Sequence, residues 1–595
     1  MTLTTREARK TLRWSVIAGL VMVFTSAVGM MESFDDRLII YPVLSLGYLM
    51  LFWIVPLAGF QATHLPRLEG IEPPGKGLSN VLIGALTGLG AGVILAVFVV
   101  VADQFDLREV FVSISPRLVR LLTFEDTLPG GLLATVLIPT LLGTAGGAFH
   151  LLRDNLGRRL VLALEWVLVV AILEGVVAQI LRQIRLDALG ERIYTQRALE
   201  WFAAVALFLA ILPIPASRTG TNQVERIRQR LFSIDPAQRI RNSVVSAVVI
   251  LVFLILLPQL LGSLLSEVLA NVGLFLIMGL GLNIVVGLAG MLDLGYVAFF
   301  AVGAYTVAVL TSSLSPRFAP ELSWWLALPV ALLVSALSGV MIGTPVIRMR
   351  GDYLAIVTLG FGEIIRILFL SDWLSPIFGG AQGILDIPGI PLGVTRVSGI
   401  SPESILYFAF AFVLIAAWVS WSLQHSRIGR AWNALREDET VAAAMGVNTV
   451  RAKLDAFIVG AILAGGAGAL FAAKLGSVFP SSFELLVSII ILVVVIVGGM
   501  GNIVGVAVGA VVLIGILGGP NVPGLMAEFA EFKLLIYGAL LIFMMLRRPE
   551  GLIPARARYR ELHADEADQD AWLDKSIHPI QSRPSSSETT AEPDC

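Results

Sequence analysis

Long apolar runs recur along almost the whole chain, and most charged residues fall in the segments between them. A helix needs roughly 20 consecutive apolar residues to cross a bilayer, because no water is present in the hydrocarbon core to pair a free backbone N–H or C=O. Marking runs near that length gives about sixteen. The first six extend from Leu12 to Met30, Leu38 to Phe60, Val81 to Val101, Leu132 to Leu151, Leu160 to Ile180 and Trp201 to Ile214, and the rest lie between Val244 and Leu546. Only 14% of the 595 residues are charged and 56% are hydrophobic, whereas a soluble domain is about a quarter charged. So much apolar surface exceeds one globular core, and lipid must be the solvent for the remainder. The expected fold is all-α, a polytopic transmembrane helical bundle of about sixteen spans.

Lysine and arginine near span ends stay on the cytoplasmic side. Arg6, Arg9, Lys10 and Arg13 therefore start the chain inside. Alternation from there puts the Arg226 to Arg241 connector, the Arg427 to Lys453 loop and Arg547 and Arg548 inside as well, so both termini are expected to be cytoplasmic. The Arg182 to Arg197 loop falls outside on this count, which points to a miscounted span among the first six. Ser26, Ala27 and Gly29 offer no Ala-x-Ala cleavage site, and the first run is expected to be retained. Four regions follow: an N-terminal membrane extension of about six spans over 1–215, an Arg-rich connector over 216–242, a second membrane bundle over 243–555, and a polar tail over 560–595 too poor in apolar residues to order itself.

A net charge of −2 gives no basis for nucleic-acid binding. Cys595 is the only cysteine and the five histidines are dispersed, so neither a disulfide framework nor a metal site is expected. Gly70-Ile-Glu-Pro-Pro-Gly-Lys-Gly77 comes within one residue of a phosphate-binding loop. Pro73 and Pro74 lack the N–H donors that cradle phosphates, however, and Gly77 stands where Ser or Thr belongs. If transport here is driven by ATP, the nucleotide sits on another chain and this one binds no cofactor. Gly84, Gly88 and Gly92, Gly501, Gly505 and Gly509, and the Gly465, Gly466 and Gly468 cluster are spaced for close helix packing.

The loop from Ser426 to Gly446 is the most informative segment. Asp438 or Thr440 can cap a short helix over Val441 to Met445, and Gly446 suits the left-handed residue that ends it. Such a capped, charge-flanked helix can be a docking element or simply a solvated loop. Ile428-Gly-Arg-Ala-Trp432, Leu435-Arg-Glu-Asp-Glu439 and Met445-Gly-Val447 resemble the coupling loop of LivM-type permeases of branched-chain amino acid ABC importers. In the same order come Gly281-Leu-Asn-Ile-Val-Val-Gly-Leu-Ala-Gly290 with Leu294 to Tyr305, Arg350-Gly-Asp-Tyr to Glu363, Val497-Gly-Gly-Met-Gly-Asn-Ile-Val-Gly505 and Arg548-Pro-Glu-Gly-Leu-Ile-Pro554. The similarity covers about 244–554. The family's Gly-Pro-Asn/Gln-Gly turn reads here as Gly380-Ala-Gln-Gly383, without its proline, and the N-terminal extension is longer than related permeases carry.

The resemblance implies a transporter subunit rather than an enzyme. Its expected partners are a second permease subunit, two cytoplasmic ATPase subunits that hold the ATP, and an extracytoplasmic substrate-binding protein, assembled in the cytoplasmic membrane of a prokaryote. Arg427, Gly429, Arg430, Arg436, Glu437, Asp438 and Gly446 would form the loop that meets the ATPase. Ionisable groups inside spans are costly and mark candidate functional positions, which adds Asp293 and Glu363 to Asn283, Tyr305, Thr358 and Gln382 as candidate pathway residues. Glu363 and Arg366 are spaced to neutralise each other. The alternatives are a same-family permease for urea, short amides or another small solute, and a secondary transporter that needs no ATPase.

Overall fold

The computed structural model describes residues 5–63, 77–105, 107–109, 111–152, 154–183, 185–213, 258–259, 262–317, 319–346, 349, 352–392, 395–399, 401–520, 522 and 524–555. The connector expected at 216–242, the tail expected at 560–595 and the rejected phosphate loop up to Lys76 lie outside the described residues. The chain divides into two compact units, Met1–Gly262 and Ser263–Cys595.

In the first unit the helices Thr5–Ala27, Ile54–Thr63, Gly77–Gln104 and Leu128–Ala148 pack together. Their tightest seam is the glycine face of Gly77–Gln104. A Cβ on Gly84 would lie 2.3 Å from the carbonyl oxygen of Gly143, and one on Gly88 2.1 Å from that of Pro139. Only glycine lets these backbones meet, which is the packing role the spacing indicates.

Two of the expected spans are corrected here. The run from Leu38 opens as a strand, β1 (Leu38–Tyr41), followed by β2 (Leu44–Ser45), and the helical part begins only at Leu46. Ile39, Ile40 and Tyr41 are strand formers, and Pro42 biases the residue before it toward extended backbone. β1 pairs antiparallel with β2 and parallel with β4 (Ala198–Glu200), and β4 pairs antiparallel with β3 (Tyr194–Thr195). The chain is therefore mainly helical but not all-α. The run from Leu160 to Ile180 also breaks, with helices Asp154–Ile172 and Glu174–Gln183 meeting at 77°. The second of these mixes Glu174, Gln179 and Arg182 with Val177, Ile180 and Leu181, the amphipathic pattern of a helix that lies along an interface. The loop whose arginines fell on the wrong side follows this broken pair. Among the described residues nine helices are long and apolar enough to cross a membrane, or up to ten with the bent pair counted as one. Trp201–Ile211, Val297–Thr311 and Ile503–Leu517 are shorter apolar helices, and the run from Val244 lies mostly outside the described residues.

The second unit is built around two nearly encased helices, Gly262–Leu288 and Thr449–Leu475. The latter packs on Val297–Thr311 and Trp324–Val346. A Cβ on Gly303 would meet the Gly465 carbonyl at 2.3 Å, and one on Gly468 the Phe300 carbonyl at 2.2 Å. Trp324 Nε1 donates to the Ala469 carbonyl at 3.1 Å, and Tyr296 Oη to that of Gly460 at 2.8 Å. Gly505 and Gly509 pack helix Ile503–Ala510 against Leu485–Gly498. Gly501 does not share that face, because it turns the chain between the two helices with φ +80°. A two-stranded hairpin, β5 (Ile390–Leu392) with β6 (Thr395–Val397), completes the unit.

Candidate functional site

The loop after helix Pro402–Gln424 folds as two short helices, Arg427–Glu437 and Glu439–Ala444. Ser426 starts the first, its hydroxyl accepting from the N–H groups of Ile428 at 3.1 Å and Gly429 at 3.3 Å. Gly429, Trp432 and Leu435 fall on one side of this helix and are buried. A Cβ at Gly429 would come within 2.4 Å of the Leu423 carbonyl, and Trp432 Nε1 donates to the Ala452 carbonyl at 2.8 Å. Arg427, Arg430 and Glu437 are on the exposed side.

Asp438 ends the first helix and caps the second, accepting from Thr440 N at 2.7 Å and Val441 N at 3.0 Å. Thr440 is thus not the cap, and the helix begins two residues before Val441. Gly446 closes it at φ +87°. Glu439 is tied to Lys453 Nζ at 2.7 Å. This leaves a rigid exposed edge in which Val441 (59% exposed) and Met445 (80%) stand one turn apart beside the charges of Glu437 and Asp438.

Arg436 corrects one part of the sequence reading. It does not join Arg430 on the open face; its Nη1 donates to the Gly287 carbonyl at 2.8 Å. Gly290 has φ +73°, and a Cβ there would touch Arg436 Cγ at 2.8 Å. Gly287 belongs to a π-helical end, Asn283–Leu288, of the encased helix Gly262–Leu288. Four residues earlier, the buried Asn283 accepts from Gly501 N at 2.7 Å. The segment after helix Lys533–Arg547 joins the same knot: Leu552 N donates to the Val497 carbonyl at 2.8 Å, and Asn502 Nδ2 to that of Ile553 at 3.1 Å. Three segments, 283–290, 497–502 and 552–553, thus converge behind the exposed loop.

Between helices Gly262–Leu288 and Val297–Thr311 the chain is irregular, and Asp293 is buried there rather than set in a wet loop. Its Oδ1 accepts from Gly295 N at 2.9 Å, and Thr358 Oγ1 accepts from Leu294 N at 3.1 Å. This fastens the break to helix Asp352–Leu370. The remaining pathway candidates do not join them. Tyr305 is buried in an aromatic cluster, with ring centroids 4.2 Å from Phe369 and 5.8 Å from Phe483. Glu363 pairs with Arg366 on a partly exposed face, with side chains 39% and 26% exposed. Gln382 is exposed in the turn Gly380–Gln382. Positive φ at Gly379, Gly380 and Gly383 shapes that turn, with Ala381 where the family's proline stands. Sequence reasoning passed over Lys474, a buried lysine whose Nζ donates to buried Asn271 Oδ1. The available signal was a lone cation in the otherwise small and apolar stretch Gly465 to Leu475. Among the described residues no three His, Cys, Asp or Glu converge as a metal site would require.

Many apolar helices packed on glycine seams, a broken helix with buried polar groups and an exposed capped loop define a polytopic helical membrane protein. The family model for the branched-chain amino acid transport system / permease component matches residues 264–545. The high-affinity branched-chain amino acid transport system permease protein LivM of Salmonella typhimurium is 42% identical over 314 residues, 49% of this chain and 71% of that protein. LivM of Escherichia coli is 41% identical, over 47% of this chain and 68% of that protein. A probable LivM of Methanocaldococcus jannaschii is 23% identical over 94% of its length. No solved structure matches the chain at a significant level. The chain belongs to the LivM-type family of branched-chain amino acid permeases, and is a transporter subunit rather than an enzyme.

Proposed function

We propose that this chain is the translocating subunit of an ATP-binding-cassette importer that carries branched-chain or related hydrophobic amino acids across the cytoplasmic membrane of a prokaryote, with both termini on the cytoplasmic side. It works with a second permease subunit, an extracytoplasmic binding protein that selects the amino acid, and two cytoplasmic ATPase subunits that hold the ATP. The observation that carries this reading is the linkage through Arg436. The exposed edge formed by Arg427, Arg430, Glu437, Asp438, Val441 and Met445 has apolar area for docking and charge for choosing the partner. Through the Arg436 to Gly287 bond, movement of that edge acts on the end of the encased helix and, through Asn283, on the Gly501 turn.

In the reconstituted complex, Arg430→Glu is expected to abolish ATP hydrolysis stimulated by the loaded binding protein while membrane insertion stays intact. Unchanged stimulation would remove the docking assignment.

A further inference from the structure

Lys474 and Asn271 lie far from the docking loop. Helix Thr449–Leu475 starts directly after that loop, and at about 1.5 Å per residue Lys474 is nearly 40 Å along it, more than the thickness of the hydrocarbon core. Lys474 is 7% exposed and Asn271 1%. The ammonium donates to Asn271 Oδ1, and no carboxylate among the described residues lies within ion-pair distance of it. Asn271 Nδ2 has no partner among the described residues either. A buried cation beside a buried unpaired amide is expensive in a membrane bundle unless something anionic is to be met there.

Asn271 lines a small cavity of about 20 Å³ with Leu274, Phe275, Met278, Phe300 and Phe471. Its walls are apolar and aromatic, suited to an aliphatic side chain. Glu267 precedes Asn271 by one helical turn, on the same side of the helix, and is only partly buried. The arrangement thus offers a cation and an amide donor for a carboxylate, an acidic group one turn away for an ammonium, and an apolar wall next to Asn271. The cavity holds about one water, so a whole amino acid enters only when these helices part.

We propose that Lys474, Asn271 and Glu267 form an outer station on the translocation path that receives the zwitterionic main chain of an α-amino acid, carboxylate to Lys474 and Asn271 Nδ2 and ammonium to Glu267. This rests on the amino acid importer reading and deepens it, because urea, amides and amines lack the paired charges.

The test compares leucine moved per ATP hydrolysed in proteoliposomes holding the complete importer with its binding protein, for wild type, Lys474→Met, Asn271→Leu and Lys474→Arg. The station requires the ratio to fall about tenfold in the Met and Leu variants, the size of one charge-assisted hydrogen bond, while the loaded binding protein still stimulates ATP hydrolysis and Lys474→Arg keeps most of the flux. An unchanged ratio, or flux and ATP hydrolysis falling together in both variants as for a plain structural clamp, overturns it. If Lys474→Met fails to assemble, Asn271→Leu decides alone. A wild-type complex that moves no amino acid while another solute stimulates its ATPase would overturn the importer reading first, and the station with it.

Discussion

Replacing Arg436 by methionine tests whether the loop is mechanically joined to the bundle. The side chain keeps much of its apolar stem but loses the guanidinium that donates to the Gly287 carbonyl at 2.8 Å. A hydrogen bond to a charged donor contributes about 1.5–3 kcal/mol, and every 1.4 kcal/mol is a factor of ten. The coupled arrangement of loop and helix end should therefore be disfavoured by roughly ten- to a hundredfold. The ATPases should still dock, since Arg427, Arg430, Val441 and Met445 are untouched on the exposed face. The assay is ATP hydrolysis by the reconstituted complex with and without loaded binding protein. Arg436→Met is expected to keep the basal rate and lose about tenfold in stimulation, with Arg436→Lys in between because lysine still supplies a cationic donor without the guanidinium fork. Full stimulation in the Met variant would refute the linkage. Dissociation of the ATPases would instead place Arg436 in the docking surface, against the structure.

Trp432→Phe keeps the buried ring but leaves the Ala452 carbonyl without its indole donor; it should cost about 1–3 kcal/mol, read as a lower melting temperature of the solubilised protein. Glu363→Gln should leave uptake and melting temperature close to wild type, because an ion pair this exposed contributes at most about 1 kcal/mol; a large loss of uptake would restore Glu363 to the pathway.

Helices were legible where apolar runs were long and uninterrupted, as in Val81 to Val101 within helix Gly77–Gln104, because in lipid the backbone has few other ways to satisfy itself. The glycine seam of Gly84, Gly88 and Gly92 could be read from spacing alone. Strand β1 could not, because its four residues are as apolar as a span and its parallel partner Ala198–Glu200 is some hundred and sixty positions away, beyond any local pattern. The break near Leu173 was hidden for a related reason: Val176, Val177 and Ile180 continue the apolar count while Glu174 and Arg182 change its direction. In the loop, the sequence narrows the cap to Asp438 or Thr440 and places the closing glycine at Gly446; that Asp438 is the cap and the helix starts at Glu439 depends on the fold. That Arg436 faces inward while Arg430 faces outward depends on which side Trp432 buries, a tertiary fact. Lys474 sits at the end of a span, where lysines ordinarily snorkel to water, and only the structure shows it enclosed with Asn271.

The most direct measurement is uptake of labelled leucine into proteoliposomes containing this chain, its partner permease and both ATPases, with binding protein outside and ATP within. Accumulation that requires hydrolysable ATP, the binding protein and an intact Arg427 to Gly446 loop is the result this account requires. Leucine entry that persists without the ATPase subunits would contradict it and return the chain to the class of secondary transporters.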